Sequence, residues 1–313
     1  MPDYGHELQF GFFLDPSSDD PARTIETART LDDLGYDLIG IQDHPYQQKH
    51  FDAMALIAFI LGQTERVRLF PDVANLPLRP PLMLAKEAAT LDQLSGGRFE
   101  LGLGAGAFWT PIRAMGGPVR EPRDALAALR EAITLIRAFW AGQTLRHDGT
   151  FYQAVGARPG PHPHHDIDIW LGVTGPRALR LTGELADGWV PSMAYVPPAQ
   201  AASSNAIIDE AARAAGRDPA AIRRIYNIAG EFAPAIEAGT SGDDTQIVGP
   251  PGHWIDVLTH LAVDLGFSSF VLWGEPDASR LRIFIEEIAP AVRDRVAEAR
   301  ASRGQGNIED RRR

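Results

Sequence analysis

Asp43 and His44 stand side by side in "QDHPYQQKH", Gln42 to His50, directly after an apolar run. An imidazole moves a proton near neutral pH, and an adjacent carboxylate fixes its orientation or accepts a bond from a ligand hydroxyl. The same pair also suits a loop cap beside a packed ring. A second candidate is "VTGPRALRL", where Thr174 and Gly175 precede Pro176, a residue suited to a first helical turn, with Arg177 next. Free backbone N–H groups and the positive helix end there would hold a phosphate, unless this is an ordinary helix start. A third is "GLGAGAFW", in which Gly102, Gly104 and Ala107 satisfy the G-x-G-x-x-A form of the dinucleotide fingerprint. That fingerprint needs a helix at once, and "FWTPIRAMGGPVREP", with Pro111, delays one.

Other chemistries fall away. The chain has no cysteine, so disulfides, thiolate metal sites and a thiol nucleophile are excluded, and any redox chemistry requires a bound cofactor. No G-x-S-x-G elbow marks a serine nucleophile. His162, His164 and His165 lie in "HPHH", with no acidic or cysteine partner at ligand spacing, and read as a solvated loop with no metal. A net charge of -11 argues against nucleic acid as a partner, and no segment approaches the roughly 20 apolar residues of a membrane span. "EDRRR" reads as a frayed tail, and the first residues lack a basic segment followed by an apolar one, which makes the cytoplasm the expectation.

The elements that must position these residues alternate in period. Apolar β-type runs begin at Leu8, Asp37, Arg66, Arg98, Asp166, Gly188, Ile222 and Ser268, and a helical pattern follows each. Eight such units over 313 residues predict a (β/α)8 TIM barrel, read as a single domain over 1–313. Residues 142–165, with a hairpin turned at Asp148-Gly149, and 237–249 are expected as insertions, and 302–313 as a disordered tail. Chemistry in such barrels sits where strands end in the C-terminal direction. Asp43, His44, Gly104, Gly106, Thr174 and Gly175 all fall there, with Phe108 and Trp109 as apolar walls. Gly96 and Gly97 end a helix, whereas Gly104 and Gly106 are expected to let a cofactor ring approach. Pro71, Pro77, Pro80 and Pro81 stiffen the loop after the third strand, either to press backbone against a flat ligand or as a plain connector.

"LAKEAATLDQLSGGRFELGLGAG" resembles the signature of the bacterial luciferase-like flavin and deazaflavin oxidoreductases, and "LTGELADGW", "IVGPPGHWIDVL" and the strand-two "DH" occur in matching order. The resemblance spans nearly the whole chain. It implies a TIM barrel, a flavin or deazaflavin at the C-terminal rim and a homodimer acting on a small molecule. It also implies a bulged third strand with a non-proline cis bond between Asp72 and Val73, so that Asp72, Val73, Ala74 and Asn75 border the ring. His44 would then face the reactive side of the ring, with Asp43 beside it, and Thr174, Gly175, Pro176 and Arg177 would hold phosphate. The implied cofactor is coenzyme F420, an 8-hydroxy-5-deazaflavin; the alternatives are an FMN monooxygenase and a non-catalytic flavin-binding protein. Members that oxidise sugar phosphates carry a glutamate where this chain has Ala107 and an aromatic where it has Gln48. Tyr46, Phe108 and Trp109 point instead to a rather apolar substrate.

Overall fold

Each β-type run becomes a parallel stave, and the helix after it returns the chain to the same end of the sheet. A computed structural model describes residues 3–234 and 245–310. The strands are β1 (Gln9–Leu14), β2 (Leu38–Ile41), β3 (Arg68–Pro71), β4 (Ala74–Asn75), β5 (Leu101–Gly104), β6 (Leu145–Asp148), β7 (Gln153–Ala157), β8 (Ile169–Leu171), β9 (Gly188–Trp189), β10 (Arg223–Phe232), β11 (Ile247–Gly249) and β12 (Ser269–Trp273). The helices are α1 (Pro21–Leu34), α2 (Ala53–Leu61), α3 (Pro81–Ser95), α4 (Trp109–Ala114), α5 (Pro122–Trp140), α6 (Pro176–Leu185), α7 (Pro198–Ala214), α8 (Pro251–Val263), α9 (Ala278–Arg282) and α10 (Ala289–Asp310), the last two joined by a π-helical segment, Ile283–Ile288.

Nine parallel strands run in the order β3-β2-β1-β12-β10-β9-β8-β5-β4. The third stave is broken: β3 pairs with β2, and β4 pairs with β5. The break lies at the cis bond Asp72–Val73. A bridge between Leu69 and Phe99, with the Leu69 N–H donating to Arg98 O at 2.9 Å, brings the two ends of the sheet together into a near-closed barrel.

Alternation sorts each strand into two cores. Inside the barrel Leu38, Phe70, Trp170, Val190, Ile225 and Val271 pack together, with Phe13 and Val73 against them. Their chain neighbours, such as Ile39, Leu171, Tyr226 and Phe270, pack outward beneath the helices. Burying each large apolar side chain contributes roughly 1.5–3 kcal/mol. Local signals place the helix ends. Asp20 caps α1 by accepting from the Arg23 N–H at 3.0 Å, and Gly35 ends that helix in the left-handed region at φ 82°.

The third strand is two short strands parted at the cis bond that the resemblance implies. Three expectations change. A helix, α4, begins as early as Trp109, sooner than Pro111 implied, because proline is tolerated in a first turn. Of the expected insertion at 237–249, residues 237–244 lie outside the described residues, and Ile247–Gly249 is a strand paired in parallel with β10. Finally, α10 continues to Asp310 through the stretch expected as a disordered tail; residues 311–313 lie outside the described residues. The hairpin β6-β7 does form within 142–165, as an antiparallel sheet of its own.

The "HPHH" segment also differs from a solvated loop. At the N-terminal end of the barrel, His165 Nδ1 lies 2.7 Å from Asp92 Oδ1 and its Nε2 lies 3.2 Å from Glu100 Oε1. Arg68 pairs with the same Glu100 oxygen, and the other accepts from the Asp168 N–H at 2.8 Å. His162 and His164 remain exposed.

Candidate active site

The C-terminal strand ends gather the candidates from distant parts of the chain. Asp43, just past β2, is buried, and each of its oxygens is taken. Oδ2 accepts from the Asn75 N–H at 2.7 Å and from Arg79 Nε at 2.6 Å, and Oδ1 accepts from Arg79 Nη2 at 2.8 Å. Arg79 also donates to Asp52 at 2.6 Å. Burial opposes the charge of Arg79, and Asp43 and Asp52 more than offset it. Asp43 therefore ties the loop after β2 to β4 and the proline-rich loop, in place of a hydrogen bond to His44. Arg79 was missed from the sequence because its partners lie 36 and 27 residues away.

His44 is held by rings instead. Tyr46 stacks on it at 5.3 Å and 22°, and Phe108 meets it edge-on at 5.4 Å and 75°. Phe108 is 51% exposed, so this three-ring cluster opens on solvent, and Trp109 is half-buried beside it. Burial, and then His50, holds the His44 imidazole below its usual value, with Asp43 opposing them. Near neutral pH the ring is consequently a neutral base. The Tyr46 hydroxyl is buried with no partner, and burial, with Asp43 nearby, pushes it up to about 12.

The break in the third stave turns Val73 across the mouth. A Cβ built on Gly104 would lie 2.7 Å from a Val73 methyl, and one on Gly172 would lie 3.0 Å from both methyls. These glycines make room for Val73, leaving a floor of Val73 and backbone. Ala74, next in the chain, is fully buried in the outer core. Asp72 also reaches the barrel interior, where a Cβ on Gly40 would come within 3.1 Å of its Oδ2. Gly106 has a reason independent of any ligand: its φ is 91°, and a Cβ would lie 2.6 Å from Pro77 and 3.1 Å from Trp109. Bulk there strains the loop first, whatever it does to a cofactor.

Across the mouth, α6 begins at Pro176 with Gly175 before it and no side chain capping its N–H groups. Thr174, Gly175, Pro176 and Arg177 are all exposed, and a Cβ on Gly175 would meet nothing within 4 Å. This open helix start is able to hold an anion. Trp273, 54% exposed at the end of β12 and edge-on to Phe13 at 6.4 Å, and Asn227, inside β10, complete the mouth. Neither stood out in the sequence, where each is one apolar or polar residue in a strand. No cluster able to hold a metal occurs among the described residues.

Comparisons with known proteins place the chain in a family and match its fold. The sequence model described as luciferase-like monooxygenase matches residues 5–238. An F420-dependent glucose-6-phosphate dehydrogenase of Microbacterium testaceum is 24% identical over 293 residues, 88% of this chain and 87% of that protein. A 5,10-methylenetetrahydromethanopterin reductase of Archaeoglobus fulgidus is 31% identical over 189 residues, 60% of this chain and a little over half, 54%, of its own length. Among solved structures, an F420-dependent secondary alcohol dehydrogenase bound to an F420-acetone adduct superposes with a TM-score of 0.81 at 20% identity, covering 92% of this chain and 99% of that one.

Proposed function

Because the chain belongs to the luciferase-like monooxygenase family, we propose that it is an oxidoreductase transferring hydride between coenzyme F420, an 8-hydroxy-5-deazaflavin, and a small, rather apolar organic substrate. The observation that carries this reading is a neutral, ring-packed His44 on the same rim as the glycine-seated Val73. The names of the similar glucose-6-phosphate dehydrogenase and of the secondary alcohol dehydrogenase bound to an F420-acetone adduct support the choice of cofactor. The residues present fit such a group. Val73 offers an apolar floor, to which the fully buried Ala74 adds no side-chain surface, and the uncapped start of α6 with Thr174, Gly175, Pro176 and Arg177 suits a phosphate. When bound, a deazaflavin supplies hydride chemistry with little reactivity toward oxygen.

His44 would take the proton from a substrate hydroxyl in oxidation and return it in reduction; its lowered affinity for protons favours the first. Tyr46, Phe108 and Trp109 would exclude water and present an apolar wall. The absence of an acid at Ala107 and of an aromatic at Gln48 separates this mouth from sugar-phosphate oxidation. A homodimer follows from the family resemblance, and no described helix is long and apolar enough to cross a membrane.

Titrating the purified protein with coenzyme F420 and with FMN, following ring fluorescence, tests the cofactor. Binding of the deazaflavin at least tenfold tighter than FMN is expected. Tight FMN binding without deazaflavin binding would sink the reading in favour of an FMN monooxygenase.

A further inference from the structure

Beneath the floor of the mouth lies a polar layer with no donor to spare. Oδ2 of Asp72 and Oδ1 of Asn227 are both buried without a hydrogen-bond partner, although Asn227 is the hydrogen-bonding neighbour of the Asp72 carboxyl. Gly40 closes on the same Oδ2, and below this layer the barrel is apolar, filled by Phe70, Ile225 and Leu38. As a carboxylate, Asp72 would present two acceptors to the Asn227 amide and leave its Oδ2, shut away from solvent, without a donor. Leaving such an acceptor unpaired costs about 1–3 kcal/mol, and more for a charged group.

Among the described residues no charged side chain compensates it. On β10, Arg224 reaches Asp209 on the outer side, Arg223 donates to Ser269 Oγ at 3.2 Å and the Glu7 carbonyl at 3.0 Å, and the Glu231 residue is exposed. On β3, Arg68 is paired with Glu100 at the other end of the barrel. β2 carries no titratable side chain; beyond it, His44 is governed by burial, His50 and Asp43, while Asp43 is taken by Arg79. β5 and β12 contribute none.

We propose that Asp72 is held as a neutral carboxylic acid whose proton is shared with the Asn227 amide, and that its ionisation turns the floor of the mouth negative and weakens binding of an electron-rich ring. The missing donor is then the carboxyl proton itself. Asp72 is a positioning residue in this scheme: it touches the cofactor only through Val73, the next residue in the chain. Burial pushes its carboxyl up to about 7, with the Asn227 bond opposing, so the floor changes charge within the physiological range. The inference rests on the cofactor reading above only for its second half.

Two measurements separate the halves. In cofactor-free protein, infrared difference spectra should contain the carbonyl stretch of a protonated carboxyl at pH 6, lost by pH 9 and absent from Asp72→Asn. With coenzyme F420, wild-type affinity should fall by up to about 30-fold between pH 6 and pH 8.5 relative to Asp72→Asn, the factor for a group titrating near 7 whose ionised form does not bind. The cofactor's own ionisation is common to both proteins and cancels. Absence of the carbonyl band at pH 6 overturns the neutral acid. Equal pH dependence in the two proteins overturns the coupling. If Asp72→Asn does not fold, Asn227→Leu serves: removing the amide partner should shift the titration of the band, and an unmoved titration counts against the shared proton. Failure of either ring to bind at any pH defeats the cofactor reading and the coupling together, while the band still judges the acid.

Discussion

The two ends of the barrel treat buried polar groups in opposite ways. At the N-terminal end, Asp92, Glu100 and His165 satisfy one another, with Arg68 and the backbone of residues 164, 165 and 168 in the same network. At the C-terminal mouth, Tyr46 Oη, Asp72 Oδ2, Asn75 Oδ1 and Asn227 Oδ1 are buried without partners. Arg68 Nε and His6 Nε2 are the exceptions near the first end. A satisfied network contributes to stability, whereas orphaned groups detract from it and are kept where a ligand or a proton is to be handled. The contrast assigns stability to one end and chemistry to the other, and it can be broken from either side.

The largest effect is expected at the mouth. His44→Ala should lower turnover 100-fold or more, the usual contribution of a positioned acid–base group, while the thermal midpoint moves by only a degree or two. His44 has no side-chain hydrogen bond and lies on a partly open rim, so its removal leaves no buried partner stranded. Steady-state kinetics beside thermal unfolding check this. Unchanged turnover would remove His44 from the chemistry, and a large loss of stability would erase the contrast between the ends.

The opposite end should respond to pH through stability alone. Hydrogen bonds to Asp92 and then Glu100 push His165 up to about 9, against burial. The folded state therefore binds a proton that the unfolded chain releases near 6.5. The stabilisation is complete below about pH 6.5 and is lost as pH rises toward 9. With its side chain 28% exposed, the gain is discounted to on the order of 1–2 kcal/mol. Asp72 and Asp168, pushed up to about 7 and about 6, add their own fall at lower pH. His165→Gln should therefore flatten the urea midpoint chiefly between pH 7 and 9. An unchanged slope there would show that the network is decorative.

What was legible in the sequence follows the same divide between local and distant causes. Strand periodicity and helix ends are written within ten or fifteen residues, so the eight units and helices such as Pro122–Trp140 and Pro176–Leu185 were readable. The mouth emerged only as strand-end residues, because a barrel rule converts position along the chain into position in space. Arg79, Asn227 and Trp273 escaped because their significance depends on partners from other staves. His165 was misread for the same reason: Asp92 and Glu100 lie 73 and 65 residues away, beyond any spacing motif. The cis bond at Asp72–Val73 came from resemblance, since nothing in "FPDVANL" requires it.

The finest test compares two glycines in one stretch, "SGGRFELGLG". Gly96 ends α3 at φ 69° with open space where a Cβ would stand, so Gly96→Ala meets only backbone strain and should cost roughly 1 kcal/mol. Its effect should appear in stability alone. Gly104 carries no such backbone requirement, but a Cβ there would press on a Val73 methyl at 2.7 Å. That methyl is the end of a partly exposed side chain, so Gly104→Ala should move Val73 toward the mouth at a small stability cost. Cofactor affinity should drop about 3- to 10-fold, roughly 0.6–1.4 kcal/mol. Ring-fluorescence titration of both variants, beside urea unfolding, decides it. Equal affinity in Gly104→Ala and wild type would mean that Val73 is not the floor on which the ring rests, and the stretch would then belong entirely to the scaffold.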